Sequence, residues 1–257
     1  MPHRKHLPAI AAVILCLSLS SCTTYSCGGP SGGHCYGTVS WGKGDLGETD
    51  LRAFLTNVTP VELNKGNLVI NNELWLTQEP TPNCAGGSCW TEVGVTSGAC
   101  ASGSNTRYFW AENVVTAVGP SYLCRDLGPV DPQEFGQPTM LLIARESASV
   151  FDVMVETCTR YGSGPQPTCA RRVLSAQSGL NLMQPNVATI GMEVGGSGGA
   201  SAPQATFTGN WHSDPFFAGA WVTNPGSQRV ETPVKASWTV NPTVQTEGGT
   251  WVTSCCQ

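Results

Sequence analysis

The sequence predicts an all-β protein, an antiparallel sandwich or jelly roll stapled by disulfides. Gly (30) and Pro (18) are frequent among the 257 residues, valine, threonine and tryptophan are plentiful, and no long stretch repeats with helical periodicity. That composition favours short strands joined by turns. Strand-like runs recur at 36–41, 51–58, 67–77, 89–95, 107–112, 139–145, 150–157, 170–175, 187–195 and 204–211, with Gly, Pro and Asn at the breaks. This is the spacing of a sandwich rather than of a repeat array. Twelve cysteines supply the staples.

The N-terminus explains how those cysteines come to be oxidised. Arg4 and Lys5 precede an apolar run from Ala9 to Leu19. The run is shorter than the roughly 20 residues of a bilayer span and suits the centre of a signal peptide, so residues 1–21 are expected to direct export. They end in Leu19-Ser20-Ser21-Cys22, which resembles the bacterial lipobox, whose cysteine is diacylated and becomes the first residue after cleavage. Cys22 is therefore the expected lipidation site, and the membrane is an expected partner through it. The resemblance implies an extracytoplasmic protein on a bacterial outer membrane or cell surface; ordinary cleavage leaving Cys22 a thiol is the alternative. Residues 22–35, rich in Ser, Thr, Gly and Pro, read as a flexible tether. Residues 36–212 form the sandwich, and 213–257 an extension packed on it.

Setting aside Cys16 in the leader and Cys22, ten cysteines remain, enough for five bridges in an oxidising compartment. Cys84 with Cys89 and Cys158 with Cys169 read as loop staples, and Cys100 with Cys124 as a third pair. The adjacent Cys255 and Cys256 are expected to pair elsewhere, with Cys27 and Cys35 as candidates. No CxxC pair occurs, and the histidines beyond the leader are His34 and His212, so neither a metal nor a cofactor is expected. Charged residues make up 12% and the net charge is −5, which leaves no basic footprint for nucleic acid.

Glutamates on strands are the informative residues. Alternation puts Trp90, Glu92 and Gly94 on one face of their strand, and Gly191, Glu193 and Gly195 on one face of theirs. A strand interior keeps glycine where another backbone or a ligand approaches closely, so each glutamate is placed for a groove that admits an extended chain. Solvated outward positions on a one-sided sheet are the plainer reading. Tyr108 and Trp110 form an aromatic face that suits either a binding platform or a buried core.

The succession Gly37-Thr38-Val39-Ser40-Trp41, Phe54-Leu55-Thr56-Asn57-Val58, Asn72-Glu73-Leu74-Trp75-Leu76, Trp90-Thr91-Glu92-Val93-Gly94, Tyr108-Phe109-Trp110 and Ile190-Gly191-Met192-Glu193-Val194-Gly195-Gly196 resembles the glutamic peptidases, in both the eqolisin and neprosin branches. Glu92 and Glu193, each followed by Val-Gly, are nearer the neprosin form, in which both catalytic positions are glutamates. The string around Glu193 lacks the tryptophan of both branches. The resemblance implies a curved double β-sandwich of jelly-roll or concanavalin-like type with a cleft. It further implies a Glu92/Glu193 dyad hydrolysing polypeptide substrates at acidic pH, and a substrate cleft drawn from Glu73, Trp75, Trp90, Gly94, Tyr108, Trp110, Gly191 and Gly195.

Other chemistries have less support. A serine triad lacks a histidine beside a Gly-x-Ser-x-Gly elbow, and Gly195-Gly196-Ser197-Gly198-Gly199 lacks the lysine of a phosphate loop. A two-carboxylate glycosidase remains a minor alternative. The main non-enzymatic alternative is a surface module binding glycan or protein through Trp75, Trp90, Tyr108 and Trp110.

Overall fold

A computed structural model describes residues 34–42, 53–63, 69–78, 89–101, 105–116, 118–147, 150–161, 168–178, 187–195, 202–214, 218–221, 228–232, 238–243 and 250–255. The leader, Cys22, Cys27, Cys84 and Cys256 lie outside them. The strands are β1 (His34–Gly42), β2 (Ala53–Val58), β3 (Val69–Gln78), β4 (Cys89–Ser97), β5 (Arg107–Thr116), β6 (Gly119–Pro129), β7 (Thr139–Ser147), β8 (Val150–Tyr161), β9 (Thr168–Ser178), β10 (Val187–Gly195), β11 (Ala202–Asp214), β12 (Ala218–Trp221), β13 (Gln228–Thr232), β14 (Trp238–Thr243) and β15 (Thr250–Cys255).

They form two antiparallel sheets, ordered β13-β1-β10-β3-β4-β5-β6 and β14-β15-β11-β2-β7-β8-β9, with β12 paired to β11. The all-β sandwich expected from composition and spacing is therefore the fold, and the run predicted at 187–195 is β10 residue for residue. The sequence reading missed β6. Its residues, Gly-Pro-Ser-Tyr-Leu-Cys-Arg-Asp-Leu-Gly-Pro, are half-exposed along the whole strand and carry no apolar alternation to announce it.

The core lies between the sheets. Ile70, Leu74 and Leu76 of β3, Val93 and Val95 of β4, and Ile190, Met192 and Val194 of β10 face Phe54 and Val58 of β2, Leu141 and Ile143 of β7, and Val153 and Val155 of β8; all are buried. Because strand side chains alternate, the odd-numbered residues of β3 (Asn71, Glu73, Trp75) and of β10 (Thr189, Gly191, Glu193) lie on the other face of the first sheet. That outer face carries Glu73 and Glu193.

Tyr108 and Trp110 require a correction. They were expected in the substrate cleft but are core residues, 0% and 1% exposed. β5 places them opposite Val95 and Val93 of β4, on the inner face. Their polar atoms are satisfied there: Tyr108 donates to Glu134 Oε2 at 3.3 Å and Trp110 Nε1 to Thr91 Oγ1 at 3.0 Å.

The Cys100–Cys124 disulfide forms as expected, with a Cα–Cα distance of 5.0 Å. Cys35 and Cys89 are also disulfide-bonded. The remaining expected pairings fall on side chains outside the described residues.

Candidate active site

Four neighbouring strands build the site. In β3, Glu73 pairs with Gly191 of β10 on one side and Gly94 of β4 on the other. Both glycines stand where a side chain would collide with the adjoining strand. A methyl group at Gly94 would press on the Asn72 carbonyl and come within 2.9 Å of Glu73 Cα and Cβ; one at Gly191 would meet the Gly37 carbonyl and lie 2.7 Å from Thr38 Cα. With nothing directly beside Glu73, its diagonal neighbours lean in, since long side chains reach across the i, j±2 diagonal. Those neighbours are Glu92, paired with Trp75, and Glu193, paired with Asn71. One carboxylate oxygen from each of Glu73, Glu92 and Glu193 lies within 4.8 Å of the others.

The three carboxyls have different surroundings. Glu193 is buried at 7% exposure and ringed by donors. His34 Nδ1 meets its Oε1, Asn71 Nδ2 donates to its Oε2 at 2.9 Å, and the Tyr36 hydroxyl bonds to it. Thr96 Oγ1 donates to Asn71 Oδ1 at 2.6 Å, which turns the amide's N–H toward Glu193. Burial pushes the Glu193 carboxyl up, but the bond and charge of His34, with Tyr36 and Asn71, overcome it and hold the group below the usual carboxylate range. Glu193 is thus an anion, and its bond raises the pKa of His34 despite partial burial.

Glu73 and Glu92 are shifted in the opposite direction. Glu73, 1% exposed, is pushed well up by burial, then by the charges of Glu92 and Glu193. Glu92 keeps some solvent contact and is pushed well up by the hydration it loses among surrounding protein and then by the Glu193 charge. Carboxyls this close cannot all ionise. The arrangement holds one anion beside two neutral acids. A cation bound there would have to displace the protons of Glu73 and Glu92.

The three open into a cleft of about 680 Å³ on the outer face. Tyr36 and Trp75 pack 6.2 Å apart at one side, and Trp90 stands edge-on to Tyr122 at 6.0 Å on the other. Cys100 and Cys124 line it as well, so their disulfide forms part of the wall.

Glu73, Trp75, Trp90, Glu92 and Glu193, all named from sequence, therefore meet in one cleft. The solvated-glutamate reading does not hold for Glu193, which is buried, while Glu92, the other residue it covered, is half-buried. Gly94 and Gly191 serve strand approach around Glu73 rather than lining the cleft. At Gly195 a methyl would sit 3.5 Å from the His34 ring, an ordinary contact. Sequence reasoning missed His34, Tyr36, Asn71 and Tyr122. The alternation of β1 held a signal for two of them, because His34 and Tyr36 share a face with Thr38 and Ser40.

No protein-family model matches the chain, and no curated protein does. Among solved structures it is similar to scytalido-glutamic peptidase with a peptide-based transition-state analogue (10% identity, 88% of this chain and 100% of that one, TM-score 0.49). The same peptidase with a transition-state analogue inhibitor gives 9% identity, the same coverage and a TM-score of 0.46. SCP-B, a member of the eqolisin family of peptidases in complex with the tripeptide Ala-Ile-His, gives 8% identity, the same coverage and a TM-score of 0.43.

Proposed function

We propose that this protein is an endopeptidase acting at acidic pH through Glu193 as general base and Glu92 as general acid. The observation that carries the reading is the unequal surroundings of two carboxyls whose oxygens lie within 4.8 Å in one cleft: His34, Tyr36 and Asn71 hydrogen-bond Glu193 and favour its anion, while loss of hydration and the Glu193 charge favour the neutral form of Glu92. Acid-base hydrolysis needs that asymmetry, because one group must accept a proton while the other donates one.

In this mechanism a water held between the carboxyls attacks the scissile carbonyl. Glu193 takes the water's proton, and Glu92 gives its own to the carbonyl oxygen, leaving a neutral tetrahedral diol. Glu193 then passes its proton to the departing nitrogen, while Glu92 recovers one from a diol hydroxyl. The C–N bond breaks, and both carboxyls return to their starting states. Correctly placed acid-base groups contribute about 10²- to 10⁴-fold each. The sequence motifs shared with glutamic peptidases support a polypeptide substrate, and an outer sheet face bordered by aromatic pairs suits an extended chain.

A second reading, a non-catalytic module stacking glycan or protein on its aromatic rim, has one observation in its favour: Tyr122, beside Trp90, is 66% exposed. Digestion separates the two. Incubating the purified protein with a denatured substrate across pH 2–7 and identifying fragments by mass spectrometry should give cleavage with an acidic optimum; intact substrate at every pH would leave the binding module.

The reading includes export and a lipid anchor at Cys22. Cys22→Ala is expected to move the protein from the membrane fraction to the soluble one with its fold intact. Retention on membranes after a high-salt wash would remove the anchor.

A further inference from the structure

Glu73 is unused by the two-carboxyl mechanism, yet it is the centre of the cluster. It is flanked by two glycines that keep neighbouring side chains away. Its Oε2 is buried without a hydrogen-bond partner among the described residues, a costly arrangement for a carboxyl that packing alone would replace with an apolar side chain.

We propose that Glu73 is a positioning residue that works as a neutral acid, donating its hydrogen bond to Glu193 so that a single negative charge is spread over the three carboxyls. This rests on the peptidase reading for its consequence, but not for its physical content. The titratable groups that share the cleft with Glu73 are Glu92 from β4, Glu193 from β10, His34 and Tyr36 from β1, and Tyr122 from β6. Of these only His34 can bring a positive charge, and it is committed to Glu193. Among the described residues of the cleft, a second anion at Glu73 would have no cation of its own. Burial and the two neighbouring carboxyls accordingly raise the Glu73 pKa. While neutral, Glu73 steadies the Glu193 anion. Once ionised, it repels that anion and makes the Glu92 proton harder to remove, leaving a weaker acid, so its loss of a proton closes the working range on the alkaline side.

The linkage has a definite sign. A buried acid with a raised folded-state pKa leaves stability intact below the ordinary glutamate value of 4.5. The protein then loses stability as pH rises from there toward the folded value.

The test compares wild type with Glu73→Gln in two independent readouts. Melting temperature should be similar for the two at pH 4, with the variant pulling ahead at pH 7.5. A gap that stays constant with pH would overturn the proposal whether or not the protein cleaves anything. In the cleavage assay, Glu73→Gln should lose roughly tenfold at pH 4, since an amide is a weaker donor to a carboxylate than a carboxylic acid. It should also carry its alkaline limb upward by about one pH unit, the common spread from a nearby charge. A variant as inactive as Glu92→Gln would overturn the positioning role. If Glu73→Gln fails to fold, ¹³C-glutamate NMR of Glu92→Gln supplies the answer. One carboxyl should still titrate above the glutamate range, and finding none would overturn the proposal.

Discussion

His34 and Glu193 meet side chain to side chain, Nδ1 against Oε1, across 159 positions of sequence. The antiparallel pairing of β1 with β10 sets His34 opposite Gly195 and Tyr36 opposite Glu193, so one ladder delivers both donors to the Glu193 carboxylate. Two titrations bound the pair. The raised His34 pKa adds stability that is full below the ordinary value of 6.5 and lost as pH rises through the folded value. The lowered Glu193 pKa adds stability that is present above the ordinary value of 4.5 and lost as pH falls through the folded value.

His34→Gln should therefore cost most stability between those limits and little at alkaline pH. It should also shift the acid limb of cleavage upward, because Glu193 without an imidazolium neighbour needs a higher pH to ionise. Melting temperatures and rates across pH 3–9 check both. An unchanged acid limb with a pH-independent stability loss would show His34 to be only a packing residue.

The glycines beside Glu73 make a second prediction. Gly94→Ala and Gly191→Ala drive a methyl into backbone rather than into a yielding side chain. Each is expected to destabilise the protein by about 1–3 kcal/mol, as overpacking does. Gly195→Ala, on the same face but with ordinary clearance, should keep wild-type stability. Equal denaturation midpoints for all three would refute the close-approach account.

The Cys100–Cys124 bridge closes a separation of 24 residues and lines the cleft. Replacing both cysteines by serine should lower stability by about 3 kcal/mol. It should raise KM more than it lowers kcat, since the wall loosens while the carboxyls stay on their strands. A fall in kcat alone would place the bridge closer to the chemistry than its position on the wall implies.

The physics of strands decided what was legible in the sequence. Alternation exposed β4 and β10 as carriers of Glu92 and Glu193, and glycine beside each glutamate marked the face that mattered. The same alternation could not say which sheet face a strand's aromatics enter, so Tyr108 and Trp110 were placed in the cleft when pairing with Val95 and Val93 draws them inward. β6 stayed hidden because a half-exposed strand need not alternate, and Tyr122 was missed with it. The His34 contact depends on β1 lying next to β10, a long-range pairing that no local pattern encodes.

The most direct test is Glu193→Gln assayed against an unfolded protein at about pH 4, where the acid-base requirement demands an ionised base. The amide keeps the size and much of the hydrogen bonding of the side chain but cannot accept the water's proton. The account expects wild-type cleavage, its loss by at least about 10²-fold in the variant, and an unchanged melting profile apart from the pH dependence contributed by the His34 pair. A variant that cleaves as fast as wild type would contradict the account.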